Sequence, residues 1–135
     1  MSGIVNIRAA LETALNGMSP ALATAWENNA FAPPASTVAY QKAFVMFATP
    51  DNPEMGASHQ ELGIFQVTLC YPLQIGTGAV AARAEALRTT FRRGFSFTSS
   101  GVTVNITKTP EIGAGTVAGD RFEMPVKIRF MAQIT

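Results

Sequence analysis

The chain has 135 residues, a mass of 14.3 kDa and a formal net charge of +1. This length gives enough core to fold without a metal or a disulfide, and we predict a single domain over residues 1–135. One cysteine, Cys70, excludes an internal disulfide and is typical of a reducing compartment. The charge gives no indication of a polyanionic partner, and no apolar stretch is long enough to predict a membrane helix.

The composition is low in charge. Asp, Glu, Lys and Arg make up 14% of the residues, against about 25% in a typical soluble domain, and the mean hydropathy is +0.18. Because a small domain cannot bury all of its neutral residues, part of its surface is expected to be uncharged and cheap to desolvate. This composition favours an assembling subunit over a catalyst.

The N-terminal segment predicts an amphipathic helix. Its apolar residues recur at helical spacing on one stripe, namely Ile4, Ile7, Leu11, Ala14 and Leu15. Ser2 is placed to cap the first turn, and Gly17 is placed to end the helix in a left-handed conformation. A short segment from Pro20 to Trp26 then turns into a strand, and two prolines at 33–34 force a loop.

Two strands flanking a long loop are predicted next. Residues 40–48 are rich in aromatic and β-branched side chains, and residues 63–71 alternate between an apolar and a half-polar face until Pro72 ends them. Between these strands, residues 49–59 contain two prolines, a glycine and an Asp-Asn pair. This composition predicts a long exposed loop.

A second helix, a hairpin and a loop follow. The helix is predicted at 79–92, with Val80, Ala84, Leu87 and Phe91 on its apolar stripe and with Arg83, Glu85, Arg88 and Arg92 off it. Residues 95–98 and 102–109 predict a β-hairpin around Ser99-Ser100-Gly101. Residues 110–119 are rich in Gly and Ala with little bulk to order them, which predicts a loop.

The C-terminal segment alternates more regularly than any other part of the chain. One row is Phe122, Met124, Val126, Ile128, Phe130, Ala132 and Ile134, and the other is Arg121, Glu123, Pro125, Lys127, Arg129, Met131 and Gln133. This period of two predicts a strand with the first row in the core and the second in solvent. Because Pro125 has no N–H, one side of the strand is expected to be unpaired or bulged nearby.

The element order predicts the α+β class, with a mostly antiparallel sheet and two α-helices packed on one face. Few connections are long enough to hold a helical crossover, and parallel neighbours normally need one. The apolar row of the last strand requires a helical cover.

Three patterns allow chemical interpretations, and each also has a structural one. The turn from Gly76 to Ala81 matches G-x-G-x-x-A, but no acidic residue follows to bind a ribose, so a flexible turn into the helix is favoured over a small-ligand site. Cys70 with His59 suggests a nucleophilic thiol and its base. However, the residues around Cys70 are apolar, and no adjacent cation lowers the pKa of the thiol. One histidine and one cysteine cannot form a conventional zinc site, and the nine acidic residues are scattered, so no metal site is expected. No cofactor is expected either.

Four arginines cluster in and after the second helix, namely Arg83, Arg88, Arg92 and Arg93. They form either an anion-facing patch or a solvated helix face, and the second interpretation is favoured. Sequence-specific nucleic-acid recognition is not expected, because no aromatic residues are interleaved and the chain has no basic excess.

Taken in order, several segments resemble the phage tail terminator-like family, which is related to lambda-type siphophage tail terminators. The segments are IVNIRAALETAL with MSPALATAWENNAFAPP, Tyr40-Gln41, PDNPEMGASHQELGIFQVTLCYPL, the glycine-rich entry to AARAEALRTTF, SSGVTVNITKTPEI and GDRFEMPVKIRF. They cover nearly the whole chain, and the resemblance lies in their order and spacing.

The resemblance implies a virion structural protein without enzymatic activity. Such proteins form a ring, a hexamer in long-tailed phages, on the head-proximal end of the tail tube. The ring ends tube polymerisation and meets the head–neck connector. The expected partners are therefore copies of the chain, the tube protein and a connector protein, and the expected location is the tail–neck region of a virion made in the bacterial cytoplasm. Another neck or tail component, such as a completion or connector protein, is the alternative.

The family supplies no catalytic residues, so the expected site is an interface. We predict that it includes Met55 and His59 from the first long loop and three basic residues of the last strand, Arg121, Lys127 and Arg129. These basic residues either line an interface or maintain solubility. Residues 49–59 and 110–119 are expected to be flexible contacts that become ordered on assembly.

Overall fold

A computed structural model describes residues 3–135, of which 41% lie in strands and 20% in helices. Ser2, the predicted cap, lies outside the described residues. The elements are α1 (Gly3–Asn16), β1 (Ala23–Trp26), β2 (Tyr40–Phe47), β3 (His59–Pro72), α2 (Gly78–Thr90), β4 (Ser96–Ser99), β5 (Val102–Ile106), β6 (Glu111–Ile112), β7 (Thr116–Ala118) and β8 (Arg121–Ile134).

The strands form one curled sheet in the order β1-β2-β3-β8-β5-β4. The two longest strands, β3 and β8, pair antiparallel along their whole length, from His59 opposite Ile134 to Pro72 opposite Arg121. The other side of β8 is shared in turn by β5, β6 and β7. The predicted strands at 40–48, 63–71 and the C-terminus are confirmed, with β3 beginning four residues earlier than expected.

The predicted fold class, a mostly antiparallel sheet with two helices packed on one face, is wrong. The sheet is mixed, because β1 runs parallel to β2, with Ala23 opposite Tyr40. Residues 27–39 connect the end of β1 to the start of β2 without forming a helix. A parallel pair was therefore possible although no helical crossover was predicted. The sheet also curls, so α1 meets β4 and β5 whereas α2 meets β3 and β8.

The prediction of a loop at 110–119 was wrong for the residues that form β6 and β7. Both strands pair with β8. A side chain at Gly113 or Gly115 would collide with Pro125 or Phe122, respectively. The small residues that indicated flexibility therefore allow this segment to lie directly against β8.

Glycine has different roles at the C-terminal end of α1 and in the β4–β5 turn. Gly17 donates its N–H to the Thr13 carbonyl at 3.0 Å and has no positive φ, so the predicted left-handed cap was wrong. The hairpin prediction is confirmed, because Ser100 and Gly101 turn with φ of 47° and 83° between β4 and β5. Positive φ at both central positions matches the twist of the strands.

The core lies between the sheet and the two helices. The helices contribute Ile7, Leu11, Leu15, Val80, Ala84 and Leu87, and the long strands contribute Phe65, Val67, Leu69, Val126, Ile128, Phe130 and Ala132. The period of two in β8 holds from Val126 to Ile134. Arg121 is the exception, since this outer-row residue is buried.

We predict that Gly63→Ala destabilises the fold by about 1–3 kcal/mol. A Cβ at this position in β3 would lie 2.5 Å from the Met46 carbonyl oxygen and 2.8 Å from Phe130 Cζ. The control is Gly78→Ala, because no atom lies within 4 Å of its added Cβ, and we expect it to be neutral or stabilising by up to about 1 kcal/mol. Equilibrium urea unfolding measures both, and equal stabilities would contradict the packing assigned to Gly63.

Candidate assembly surfaces

Arg121 is 3% exposed and anchors a connection inside the chain. Its guanidinium donates to the Val38 carbonyl, and Nη2 donates to the carbonyls of Pro34 and Ala35 at 2.7 and 2.9 Å. It also stacks 4.8 Å from the Tyr40 ring centroid. Arg121 therefore ties residues 34–38 to the start of β8.

Lys127 and Arg129 lie together on the side of the sheet that points away from the core. Arg129 Nη1 is 3.0 Å from Glu111 Oε1, and Glu111 lies opposite Lys127 in the β6–β8 ladder. Within residues 3–135, Lys127 forms no ion pair. We call this surface the outer sheet face and define it by Phe44, Met46, Ile64, Gln66, Lys127 and Arg129, which the registers place side by side.

Met55 stands at the tip of the β2–β3 loop, residues 48–58, and is 100% exposed. The base of this loop is held by two backbone pairs, Ala48 with Leu62 and Asp51 with Gln60. His59 begins β3 at the base, where its Nε2 lies 3.3 Å from Glu61 Oε2. The loop therefore projects an apolar side chain from an ordered base.

A groove of about 570 Å³ runs between α1, the end of α2 and the edge strand β4. Small residues form its α1 wall, and two phenylalanines form much of the other. We call it the α1–β4 groove and define it by Ala9, Ala10, Thr13, Ala14, Thr89, Thr90, Arg92, Phe95, Phe97, Thr98 and Ser99. Its apolar lining is open to solvent and suits an inserted side chain.

The loop and the groove carry opposite charges. The β2–β3 loop contains Asp51 and Glu54 and no basic residue. The groove contains Arg92, whose guanidinium lies 4.0 Å from the Phe95 ring centroid, and Arg93 follows it. None of these four charges forms an ion pair within the described part of the chain.

Cys70 and His59 do not form a catalytic pair. His59 begins β3 and Cys70 lies near its end, so roughly 35 Å of extended strand separates them. Burial, reinforced by the negative charge of Glu123, raises the pKa of the Cys70 thiol. Among residues 3–135 there is also no cluster of three or more His, Cys, Asp or Glu side chains that could hold a metal ion.

The turn from Gly76 to Ala81 lies outside a dinucleotide-binding framework. It does lead into α2, which begins at Gly78. The preceding strand, β3, is antiparallel to both of its neighbours, whereas the dinucleotide motif requires parallel strands joined by the helix. The geometry therefore favours the structural interpretation of this turn.

Comparison with known proteins decides the family. A family model described as phage tail terminator protein matches residues 6–130. The chain belongs to this family. It is also similar to a solved structure that is 27% identical, with a TM-score of 0.80, where the match covers 100% of this chain and 99% of the other. A search of curated proteins found no significant match.

Membership in this family identifies the chain as a structural component of the phage tail that interacts with other tail components. The family is not an enzyme family. In the part of the chain that the structure describes, neither helix is long and apolar enough to cross a membrane.

The structure separates the predicted interface residues into three places. Met55 and His59 belong to the β2–β3 loop and its base, and Lys127 with Arg129 belongs to the outer sheet face. Arg121 lies at the far end of the β3–β8 ladder from His59. Sequence reasoning missed the α1–β4 groove, for which the run of small residues on α1 was the available signal.

We predict that Arg121→Met destabilises the protein by about 2–4 kcal/mol, because it leaves three loop carbonyls without their donor. The matched control is Arg129→Met on the same strand, whose exposed ion pair is worth about 0.5 kcal/mol or less. Thermal and urea unfolding measure both variants. Equal losses would contradict the anchoring role of Arg121.

We also predict that Cys70 reacts with iodoacetamide at pH 8 at least about tenfold more slowly than free cysteine. Its thiol is buried, and its raised pKa keeps it protonated at this pH. Mass spectrometry follows the labelling over time, and unfolding in urea provides the positive control. Labelling of the folded protein at the free-thiol rate would show that this thiol is accessible.

Proposed function

We propose that the protein assembles as a ring, a hexamer by analogy with long-tailed phages, on the head-proximal end of the tail tube. The ring ends tube polymerisation and presents a surface to the head–neck connector. Family membership supports the tail terminator role in general. The ring itself is supported by one observation, namely that a single chain carries two different and complementary surfaces.

The β2–β3 loop and the α1–β4 groove suit a head-to-tail contact. A closed ring requires two non-identical patches that meet between successive copies. The loop joins β2 to β3, whereas the groove borders β4, and these strands lie on opposite sides of β8 in the sheet order. Successive copies can therefore use the loop of one and the groove of the next.

Shape and charge support the same pairing. The exposed Met55 is an unbranched, adaptable side chain that fits an irregular apolar groove. Asp51 and Glu54 beside it are acidic, and Arg92 and Arg93 at the groove are basic. This complementarity orients the contact and discriminates against pairing two loops or two grooves.

The outer sheet face is the surface that we assign to the tube or the connector. It combines apolar side chains such as Met46 and Ile64 with the basic residues Lys127 and Arg129. Met46 is exposed, and the uncharged part of the face is cheap to desolvate. His59, at the base of the β2–β3 loop, is the first residue of β3 and contributes to the edge of the ring contact.

A charge swap tests the ring contact. We predict that Glu54→Lys and Arg92→Glu each weaken assembly at least about tenfold, because each places like charges together. The double variant restores opposite charges at every contact and is expected to recover most of the assembly. Light scattering over a range of concentrations measures the mass of the particles.

Glu85→Lys is the control, since this exposed acidic residue on α2 does not line the groove. It is expected to assemble like the natural protein. Failure of the double variant to recover, with both single variants folded, would contradict the pairing of loop and groove. If the natural protein is monomeric at all concentrations, the proposal that the ring forms without the tube is contradicted.

Tail length tests the terminator role against the alternative of a connector or completion protein. Virions made without this chain are expected to have abnormally long tails in electron micrographs, because nothing ends tube growth. Tails of normal length that are not joined to heads would instead support the connector alternative.

A further inference from the structure

Arg83 is a buried arginine with an unused hydrogen-bonding edge. It lies on α2 and is 5% exposed. Its Nη1 donates to the Pro20 carbonyl oxygen at 2.5 Å, whereas Nε and Nη2 are buried and have no hydrogen-bond partner within the described residues. Among residues 3–135 it forms no ion pair. Burial lowers the pKa of this guanidinium, which reflects the cost of holding its charge away from water.

A small pocket lies beside Arg83. It has a volume of about 210 Å³ and is lined by Ser19, Pro20, Tyr71, Ala79, Ala82 and Ala86 together with Arg83. Exposed residues at its rim, including Pro20 and Ala82, leave it open to solvent. No acidic residue lines it, so nothing in its wall neutralises the arginine.

The free edge of Arg83 matches one class of ligand. Nε and the neighbouring Nη2 of a guanidinium form the two parallel donors that bind a carboxylate through both of its oxygens. The bond from Nη1 to Pro20 fixes the plane of the group, so this edge is already oriented. Besides Arg83, the side chains that line the pocket offer only the hydroxyls of Ser19 and Tyr71 as donors, so a planar carboxylate held by the paired guanidinium donors fits better than a tetrahedral phosphate, which needs several strong donors around it.

We propose that Arg83 and its pocket form a carboxylate-binding site that receives an Asp or Glu side chain from an adjacent protein chain of the tail. A buried charge without a partner is costly, and a carboxylate that enters the pocket and reaches Nε and Nη2, which are covered in the free chain, removes this cost. The occupant is part of an assembly, so this half of the inference rests on the proposed function. The chemistry of the site does not.

The site itself is tested on the purified protein with sodium acetate as the probe. Acetate is expected to raise the unfolding midpoint by about 3 °C relative to sodium chloride at equal ionic strength. Arg83→Met is expected to abolish this shift, and Arg83→Lys, which keeps the charge but not the paired donors, to reduce it by at least half. Arg88→Met is the matched control on α2, since Arg88 is exposed and does not line the pocket, and it is expected to keep the full shift.

Two results would contradict the site, and a third would contradict the choice of ligand. No acetate shift in the natural protein, or an equal shift in Arg83→Met, would overturn it. Phosphate also stabilises folded proteins without binding them, so the comparison uses the difference in shift between the natural protein and Arg83→Met. A larger difference with sodium phosphate than with acetate would overturn the carboxylate assignment. Circular dichroism at low temperature verifies that Arg83→Met is folded, and Arg83→Lys provides the same test if the methionine variant is not.

Assembly tests the occupant separately. Arg83→Met is expected to weaken either self-assembly of the purified chain or its binding to purified tail tubes at least about tenfold. Loss of self-assembly identifies a second copy as the source of the carboxylate, and loss of tube binding alone identifies the tube protein. If Arg83→Met behaves like the natural protein in both assays, the assignment of a neighbouring chain's carboxylate to the site is wrong, even if the acetate result stands. If the natural chain forms no ring and binds no tube, the proposed function fails independently of the site.

Discussion

The pairing of β3 with β8 is the interaction on which the rest of the structure depends. The two strands run antiparallel over fourteen residues each, and they place Phe65 opposite Ile128 and Val67 opposite Val126 in the core. The other strands attach to this pair directly or through one neighbour, and α2 packs against both members of it. The same ladder holds the β2–β3 loop at one end, because His59 lies opposite Ile134.

The two sides of β8 are built differently, and Pro125 accounts for part of this difference. On one side β3 is continuous, whereas on the other β6 ends opposite Val126 and β7 begins opposite Glu123. Pro125 has no N–H to donate, so a continuous partner would gain less along this stretch. The Gly113 N–H nevertheless donates to the Pro125 carbonyl at 2.8 Å, which keeps the connecting residues on the strand. The interruption expected from the proline is therefore present.

Periodicity in the sequence predicted most of the elements, because the apolar residues of each amphipathic segment indicate which of its faces is buried. It did not predict the parallel pairing of β1 with β2, since strand direction depends on the path of residues 27–39. Nor did it predict the buried arginines, because a charge on an outer row or off a helical stripe indicates solvent. Loop composition was enough to indicate that Met55 is exposed. The small residues on α1 were a signal for the α1–β4 groove, but they did not identify its other wall, since α1, α2 and β4 are distant in sequence and meet only in the fold.

Arg83 and Arg121 are two buried arginines whose desolvation is offset to different extents. Both are buried, and both bind backbone carbonyls of proline-containing connections. Arg121 reaches three carbonyls and a tyrosine ring, so its desolvation is offset within the isolated chain. Arg83 reaches one, and its desolvation is only partly offset. The proposed partner carboxylate would recover free energy there only after association, because no group among residues 3–135 pairs with the arginine. On this proposal, such a site favours the assembled state over the free subunit without making the free subunit more stable.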